Sequence, residues 1–475
     1  MNIFLHHRDL RIVDNTTLIH QCENENQNKN GIIPIFIFPP EQISSTINKY
    51  FSNNSVQFMI ESLHELSNDI KKKDGKIYFF SGDTLKIIEE IHKKIGIKSI
   101  GWNIDYTPYS KKRDMILKNY CKKNGIIVYE KEDYLLYDIL EGDTLKKNKT
   151  PYLVYTPFKN HCMNNLKVRK INNFKNFIFK KESQLERING HITEESIDNF
   201  YSNNPEIHVH GGRSRGLAIL SNISKFRDYD KRRDYFDYST TFLSAYNHFT
   251  VISIREVFHT MVDKLGIQSN LINELHWRDF YSNVCHYFPK ILEGQIGKRN
   301  RPFQEKYENL KCENNKKWFD AWCNGETGYP IVDAAMRQMN TTGFMHNRGR
   351  MITAIFLTKS MRIDFRLGEK YFAQKLVDYS AMQNSGGHQW SSGTGTDAMP
   401  YFRTMNYITQ AKKYDKDCAY IKKWIPELKD VPINDILNWP DKCNYWIDEK
   451  KIKYYKPVLD QNIERKKMFE MYKNI

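Results

Sequence analysis

The sequence predicts two domains of different class: an N-terminal, Rossmann-like α/β domain with a parallel sheet over residues 1–130, and an all-α domain over residues 211–475, joined by a long linker at 131–210. Three observations predict this. Strand-length apolar runs alternate with helical patterns up to residue 130; residues 131–210 are polar, rich in Lys and Asn, and keep no sustained period; from about 211 the strand runs stop and amphipathic helical spacing recurs. Strands alternating with helices imply a parallel sheet with right-handed crossovers. A chain of 475 residues also exceeds what one core usually organises.

In order, the runs of strand length are Ile3–Leu5, Ile32–Phe38, Lys76–Phe80, Ser99–Trp102 and Ile126–Tyr129. Between the second and third, residues 55–72 set Val56, Met59, Ile60, Leu63, Leu66 and Ile70 at helical spacing. No Gly-x-Gly-x-x-Gly follows the first run, so the fingerprint of nicotinamide binding is absent. The linker is expected to wrap the surface. Helical patterns then cover 253–264, 271–288, 330–340, 345–361, 367–378 and 416–424, with no internal repeat.

Hydrophobic residues at 40%, charged at 27% and aromatic at 13% are the composition of a folded globular chain. The net charge of +16 admits two readings, a nucleic-acid partner or a lysine-rich solvated surface, and charge alone does not separate them. No window reaches the ~20 apolar residues of a membrane span, and mean hydropathy is −0.67. The first residues break their apolar run at once, so the expectation is a soluble, intracellular monomer without a leader, in nucleus or cytoplasm alike. Eight scattered cysteines without a Cys-x-x-Cys pair read as reduced structural thiols, with no metal site.

Four segments of the helical half gather polar and aromatic side chains that a plain core would not need. Glu274, Trp277, Arg278 and Tyr281 recur at separations of three and four, which puts a carboxylate, an indole and a guanidinium on one helix face. That face is either an ion-paired helix contact or a site that stacks a planar group and accepts a hydrogen bond. Met345-His346-Asn347-Arg348-Gly349-Arg350-Met351 is a short basic motif. Asn384 to Trp390, then Gly393-Thr394-Gly395-Thr396-Asp397, is glycine-rich and suits either close backbone approach to a flat ligand or a helix-to-helix turn capped by Thr396 and Asp397. Thr240-Thr241-Phe242-Leu243-Ser244 offers hydroxyls and amides at a helix start, as a pyrophosphate or any capped helix requires.

Taken together, these segments resemble the photolyase and cryptochrome flavoproteins, and most closely the class I cyclobutane pyrimidine dimer photolyases. The resemblance runs over nearly the whole chain, from Arg8-Asp9-Leu10-Arg11 through Asn103-x-Asp105-Tyr106-Thr107-Pro108-Tyr109 to Trp424-Ile425-Pro426-Glu427-Leu428. Its most specific stretches are Glu274-x-x-Trp277-Arg278-Asp279-Phe280-Tyr281, Thr327-Gly328-Tyr329-Pro330-x-x-Asp333-Ala334-x-Met336-Arg337, Met345 to Arg348, Asn384 to Trp390, and Thr394-Gly395-Thr396-Asp397. The family architecture is an α/β domain linked to a helical FAD-binding domain, as the periodicity also reads.

The resemblance implies roles residue by residue. Tyr229, Thr240, Thr241, Leu243 and Ser244 would cradle the FAD phosphates and ribityl chain; Arg350 and Asp378 would flank the isoalloxazine, with Ser380 nearby; Asn384 would sit at N5 and stabilise a reduced flavin. Glu274, Trp277, Asn347, Met351 and Trp390 would line the cavity for a flipped-out lesion, the indoles stacking on bases and the polar groups bonding their edges. Arg233, Arg348 and Arg403, with Arg278 nearby, would hold phosphates of UV-damaged DNA. The implied reaction is repair by an electron from light-excited reduced FAD. The alternative is a cryptochrome-like blue-light photoreceptor that repairs nothing. His346-Asn347, where photolyases of the pyrimidine-pyrimidone photoproduct have a second His, points to the cyclobutane dimer.

Departures from the family pattern cluster on one feature. The three tryptophans that relay electrons from the surface in class I members fall on His388, Phe365 and Cys312. Slow or rerouted photoreduction of oxidised FAD is the expectation. Phe344 replaces a Trp beside the cavity, and Ser380 an acidic residue. Family members also hold a second, antenna chromophore, a folate or a deazaflavin; around Tyr109 to Asp114 the Asn-Glu pair that some use for folate is not reproduced, so the sequence supports neither.

Overall fold

In a computed structural model, which describes residues 1–26, 31–293 and 301–475, the runs of strand length form one sheet. Every residue of β1 (Asn2–His6) and β2 (Ile32–Phe38) is buried, the pattern of strands covered on both faces. With β3 (Tyr78–Ser81), β4 (Ser99–Ile104) and β5 (Ile127–Glu132) the parallel order is β5-β4-β1-β2-β3. A short β6 (His191–Ile192) pairs antiparallel with β3. That strand comes from the segment read as a surface linker, so part of it completes the sheet edge; two residues are too few for period 2 to register. The expected boundary at 130 falls inside β5.

The crossovers are α1 (Thr16–Asn26), α2 (Asn53–Lys71), α3 (Thr84–Ile95) and α4 (Pro108–Lys123). Ser52, Asp83 and Thr107 cap the last three with side-chain oxygens, satisfying amides that a helix start leaves open. Strand order reverses at β1, which has β4 on one side and β2 on the other, and a cleft opens at the carboxyl ends of strands at such a point.

Further along lie α5 (Tyr155–Asn165), α6 (Ile254–Leu265), α7 (Asn270–Tyr287), α8 (Pro330–Thr342), α9 (Asn347–Ile355), α10 (Phe365–Lys375), α11 (Ala381–Ser392) and α12 (Gln461–Lys473). The expected helix at 345–361 continues past α9 as a π turn over Phe356–Ser360. No helix is long and apolar enough to cross a membrane among the described residues.

Both halves share a core. Phe4, Phe36 and Phe58 belong to the same apolar cluster as Leu243, Phe249, Leu275 and Phe280. Beside it a buried ionic network ties the halves: Arg11 Nη2 donates to both Asp133 oxygens at 2.9 and 2.7 Å, Arg255 Nη2 donates to Asp133 at 2.8 Å, and Arg255 Nε donates to Asp14 at 2.7 Å. Burial opposes ionisation of Asp133, but the two guanidiniums hold its carboxyl far below the carboxylate range.

Candidate functional site

Three helices build the walls. Ser269 caps α7, which buries Leu271, Ile272 and Leu275 and leaves Glu274 and Trp277 partly open. α9 starts at His346, whose ring accepts the Arg348 amide at 3.1 Å; burial pushes this imidazole down to about 4, so it is neutral, as an acceptor must be. Asn347 is exposed in the first turn, its amide 4.0 Å from Met351 Sδ on the same face. α11 packs against both α7 and α9 and carries the half-buried Trp390. Glu274, Trp277, Asn347, Met351 and Trp390 therefore sit on three adjoining helices.

The first part of the glycine-rich stretch, Asn384 to Trp390, is helix, and Gly393 to Asp397 forms the turn that follows it. A Cβ on Gly386 would stand 2.3 Å from the Tyr281 ring, so its absence is what lets α11 lie against α7, while next to it Gly387 faces open space with nothing within 4 Å. Asp397 does cap a helix, but a distant one: its Oδ2 accepts the Tyr155 amide at the start of α5. Asp397 holds φ at 45°, in the left-handed region that few non-glycine residues adopt.

The same helices α9 and α11 also carry members of a polar set. Arg350 Nη2 donates to both oxygens of Asp378 at 3.1 and 2.9 Å. Burial works against the Asp378 charge, yet Arg350 and the Ser244 hydroxyl hold its carboxyl below the usual range. Asn384 directs its amide nitrogen at the Glu369 carbonyl (2.9 Å) and carboxylate (3.1 Å), which leaves its oxygen as the group to offer elsewhere. Tyr229 and Leu243 are buried, Thr240 and Thr241 half-buried, and Ser244 exposed; Phe242 between them has φ 54°. Ser380 turns its hydroxyl to Gln383, whose amide donates to the Arg278 carbonyl (2.8 Å) and Ser282 Oγ (3.0 Å), so Ser380 fastens α11 to α7.

This region fits a large polar, flat group. Asn247 Oδ1, His248 Nδ1, Arg278 Nε and Nη1, and His388 Nε2 are buried polar atoms without a hydrogen-bond partner. The hydroxyls of Thr240, Thr241 and Ser244 and the open space at Gly387 add donors and room.

Among the arginines expected at the mouth, Arg403 is exposed, Arg233 Nη1 donates to Glu274 at 2.7 Å, and Arg348 Nη2 forms an ion pair with Asp234 Oδ2 at 2.5 Å. Arg278 departs from expectation. Its guanidinium is buried, 3.6 Å over the Tyr134 ring, and donates to the Tyr134 and Asn247 carbonyls, because an inward apolar stem and two carbonyls outbid solvent.

At the altered relay positions, His388 is buried, donates from Nδ1 to the Asn384 carbonyl (3.0 Å), and meets Phe372 edge-on at 4.8 Å. Burial pushes it down to about 4. Phe365 and Cys312 line one small cavity with Tyr307 and Tyr472. Phe372 lies parallel to Trp322 at 5.9 Å.

Sequence reasoning missed Glu369, hidden in an amphipathic helix, Asp234, and Tyr155, whose ring stacks on Trp277 at 3.6 Å and 6°. Tyr155 lies in the segment without period, so only the paired apolar and hydroxyl character of Tyr-Thr-Pro-Phe could have drawn notice.

Comparison with known proteins bears on both halves. Residues 2–175 match the family described as DNA photolyase, and residues 271–474 the one described as FAD binding domain of DNA photolyase. The chain is 32% identical to the deoxyribodipyrimidine photo-lyase of Buchnera aphidicola from Acyrthosiphon pisum, covering 99% of this chain and 96% of that protein. It is 28% identical to that of Escherichia coli, covering 98% and 97%. The archaeal photolyase of Sulfolobus tokodaii, solved with two FAD molecules, superposes with a TM-score of 0.86 at 33% identity over the whole of both chains.

Proposed function

The chain belongs to the DNA photolyase family, and from that premise we propose that it splits cyclobutane pyrimidine dimers in DNA under blue light. One observation carries the reading: two indoles, a carboxylate, an amide and a thioether, from Trp277, Trp390, Glu274, Asn347 and Met351, come from three adjoining helices, two of which also carry Arg350 and Asn384 of the polar set. A flipped dinucleotide needs faces to stack on and acceptors and donors for base edges. Trp277 is stiffened for that work by Tyr155, stacked on it at 3.6 Å.

FAD, when bound and reduced, would supply the light-driven electron chemistry that opens the dimer. The chain's own residues hold and orient. Thr240, Thr241 and Ser244 would bind the phosphates, with Tyr229 and Leu243 closing the side of that cradle. Arg350 keeps Asp378 ionised, fixing charge beside the ring site. Glu369 fixes the Asn384 amide so that its oxygen is offered, which suits a protonated ring nitrogen. Arg233, Arg348 and Arg403 would meet the phosphates, and Glu274 and Asn347 the base edges.

The test separates cavity from cofactor. Glu274→Ala lowers repair of dimer-containing oligonucleotide and leaves the flavin spectrum unchanged, whereas Asn384→Asp alters flavin redox stability first. Release of FAD by Glu274→Ala would overturn the assignment of that face. Equal repair of the pyrimidine-pyrimidone photoproduct would overturn the substrate.

A further inference from the structure

Two adjacent residues of opposite charge, Arg233 and Asp234, reach to opposite walls of the cavity. Arg233 Nη1 donates to Glu274 Oε1 on α7 at 2.7 Å, and Asp234 Oδ2 forms an ion pair with Arg348 Nη2 on α9 at 2.5 Å. The segment that carries them is itself anchored: the Phe236 ring lies 5.1 Å from His346, the cap of α9, and the Phe236 amide donates to the Tyr414 carbonyl at 3.1 Å. Arg348 also lies 4.6 Å over the Tyr414 ring. In the free protein, then, two of the three arginines that would take phosphates are engaged by carboxylates, and the carboxylate that would take a base edge is engaged by an arginine.

We propose that Arg233-Asp234 is a charge-paired clasp across the cavity mouth, which DNA opens by exchange of partners: phosphates take Arg233 and Arg348, and Glu274, released by Arg233, turns to the flipped base. This rests on the reading of the cavity as a lesion site. The exchange is feasible because the pairs are partly exposed, with 40% of each side chain accessible in Arg233–Glu274 and 13% and 32% in Arg348–Asp234, and pairs of that kind are weak. Its consequence is discrimination. Undamaged duplex replaces the carboxylates with phosphates but leaves Glu274 without a partner, whereas a flipped lesion provides one. Discrimination therefore lies in the Arg233–Glu274 half of the clasp, while Asp234 competes with a phosphate for Arg348 whichever duplex is bound.

Asp234→Asn in the FAD-loaded protein tests this by titration of fluorescent duplexes with and without one cyclobutane dimer. The clasp predicts that Asp234→Asn raises affinity for both duplexes by about 2- to 5-fold, the change for removing the competitor in a partly exposed pair, and steepens the salt dependence by up to about one counterion as Arg348 becomes fully available. Asp234→Glu, which keeps the charge, restores the wild-type affinities. Glu274→Gln, which frees Arg233, raises affinity for undamaged duplex and lowers the preference for dimer duplex. If Asp234→Asn instead weakens binding or leaves both affinities unchanged, Asp234 only positions α9 and the clasp is wrong; a preference unchanged by Glu274→Gln would overturn it equally. A wild-type protein without preference for dimer duplex would overturn the cavity reading itself, a result distinct from either.

Discussion

Adjacent glycines on α11 give a prediction with two opposite signs. In a helix interior, Gly→Ala gains about 0.5–1 kcal/mol of backbone entropy and solvation. At Gly387 nothing opposes that gain, since no atom lies within 4 Å of the new Cβ. At Gly386 the Cβ would meet Tyr281 Cδ1 at 2.3 Å, Cε1 at 2.5 Å and Cγ at 2.8 Å, so the ring must move. Tyr281 cannot move alone: its ring is 5.6 Å from Trp277 and 5.5 Å from Phe280. Overpacking of a filled contact costs about 1–3 kcal/mol, which exceeds the helix gain. Urea unfolding without added FAD, followed by circular dichroism, therefore shifts to a higher midpoint for Gly387→Ala and a lower one for Gly386→Ala. The proposed FAD site lies beside Asn384 on the same helix, so a methyl at Gly387 is expected to lose its benefit once FAD is added. Midpoints that move in the same direction for both variants would refute the packing argument, and unchanged FAD retention in Gly387→Ala would refute the placement of the ligand.

Other expectations follow from buried charge. Asp133→Ala leaves Arg11 and Arg255 without their shared carboxylate and costs about 3–5 kcal/mol by chemical unfolding. Because Asp133 ionises far below its unfolded value, its contribution is complete above about pH 4 and lost as pH falls, so the variant's stability varies less with acid than the wild type's. Asp279 runs the other way: burial pushes its carboxyl up to about 7, the folded state holds the extra proton, and stability declines as pH rises from about 4 to 7. Asp279→Asn flattens that decline in a urea series across those pH values. At the relay positions, transient absorption of the oxidised, FAD-loaded protein should show no fast tryptophan radical, since His388 is neutral and Phe365 and Cys312 offer no indole. A radical formed at once would point to a route through Trp322.

The centre of the sheet was readable because β1 and β2 are covered on both faces, so Ile32–Phe38 stands out as an unbroken apolar run. Helices α6 to α9 were readable from their period, and Ser269 and Ser253 mark two starts with capping oxygens. β6 was not, being two residues held by pairing with β3 and by no pattern of its own. In the site, Glu274 and Trp277 advertise themselves by sharing a helix face, and the resemblance supplied roles that spacing could not. Contacts set by tertiary packing stayed hidden. Tyr155 reaches Trp277 from a segment more than a hundred residues earlier, the inward turn of Arg278 depends on the carbonyls of Tyr134 and Asn247, and the clasp depends on where α7 and α9 stand relative to one loop.

The central claim is light-driven repair, and one measurement bears on it most directly. Reduced, FAD-loaded protein is mixed with an oligonucleotide that carries a single thymine dimer, and absorbance near the thymine maximum is followed in darkness and then under blue light. The account predicts no change in the dark and a return of thymine absorbance that begins with illumination and continues over many turnovers. Dimer duplex that binds but shows no light-dependent recovery would contradict it and leave the photoreceptor reading in its place.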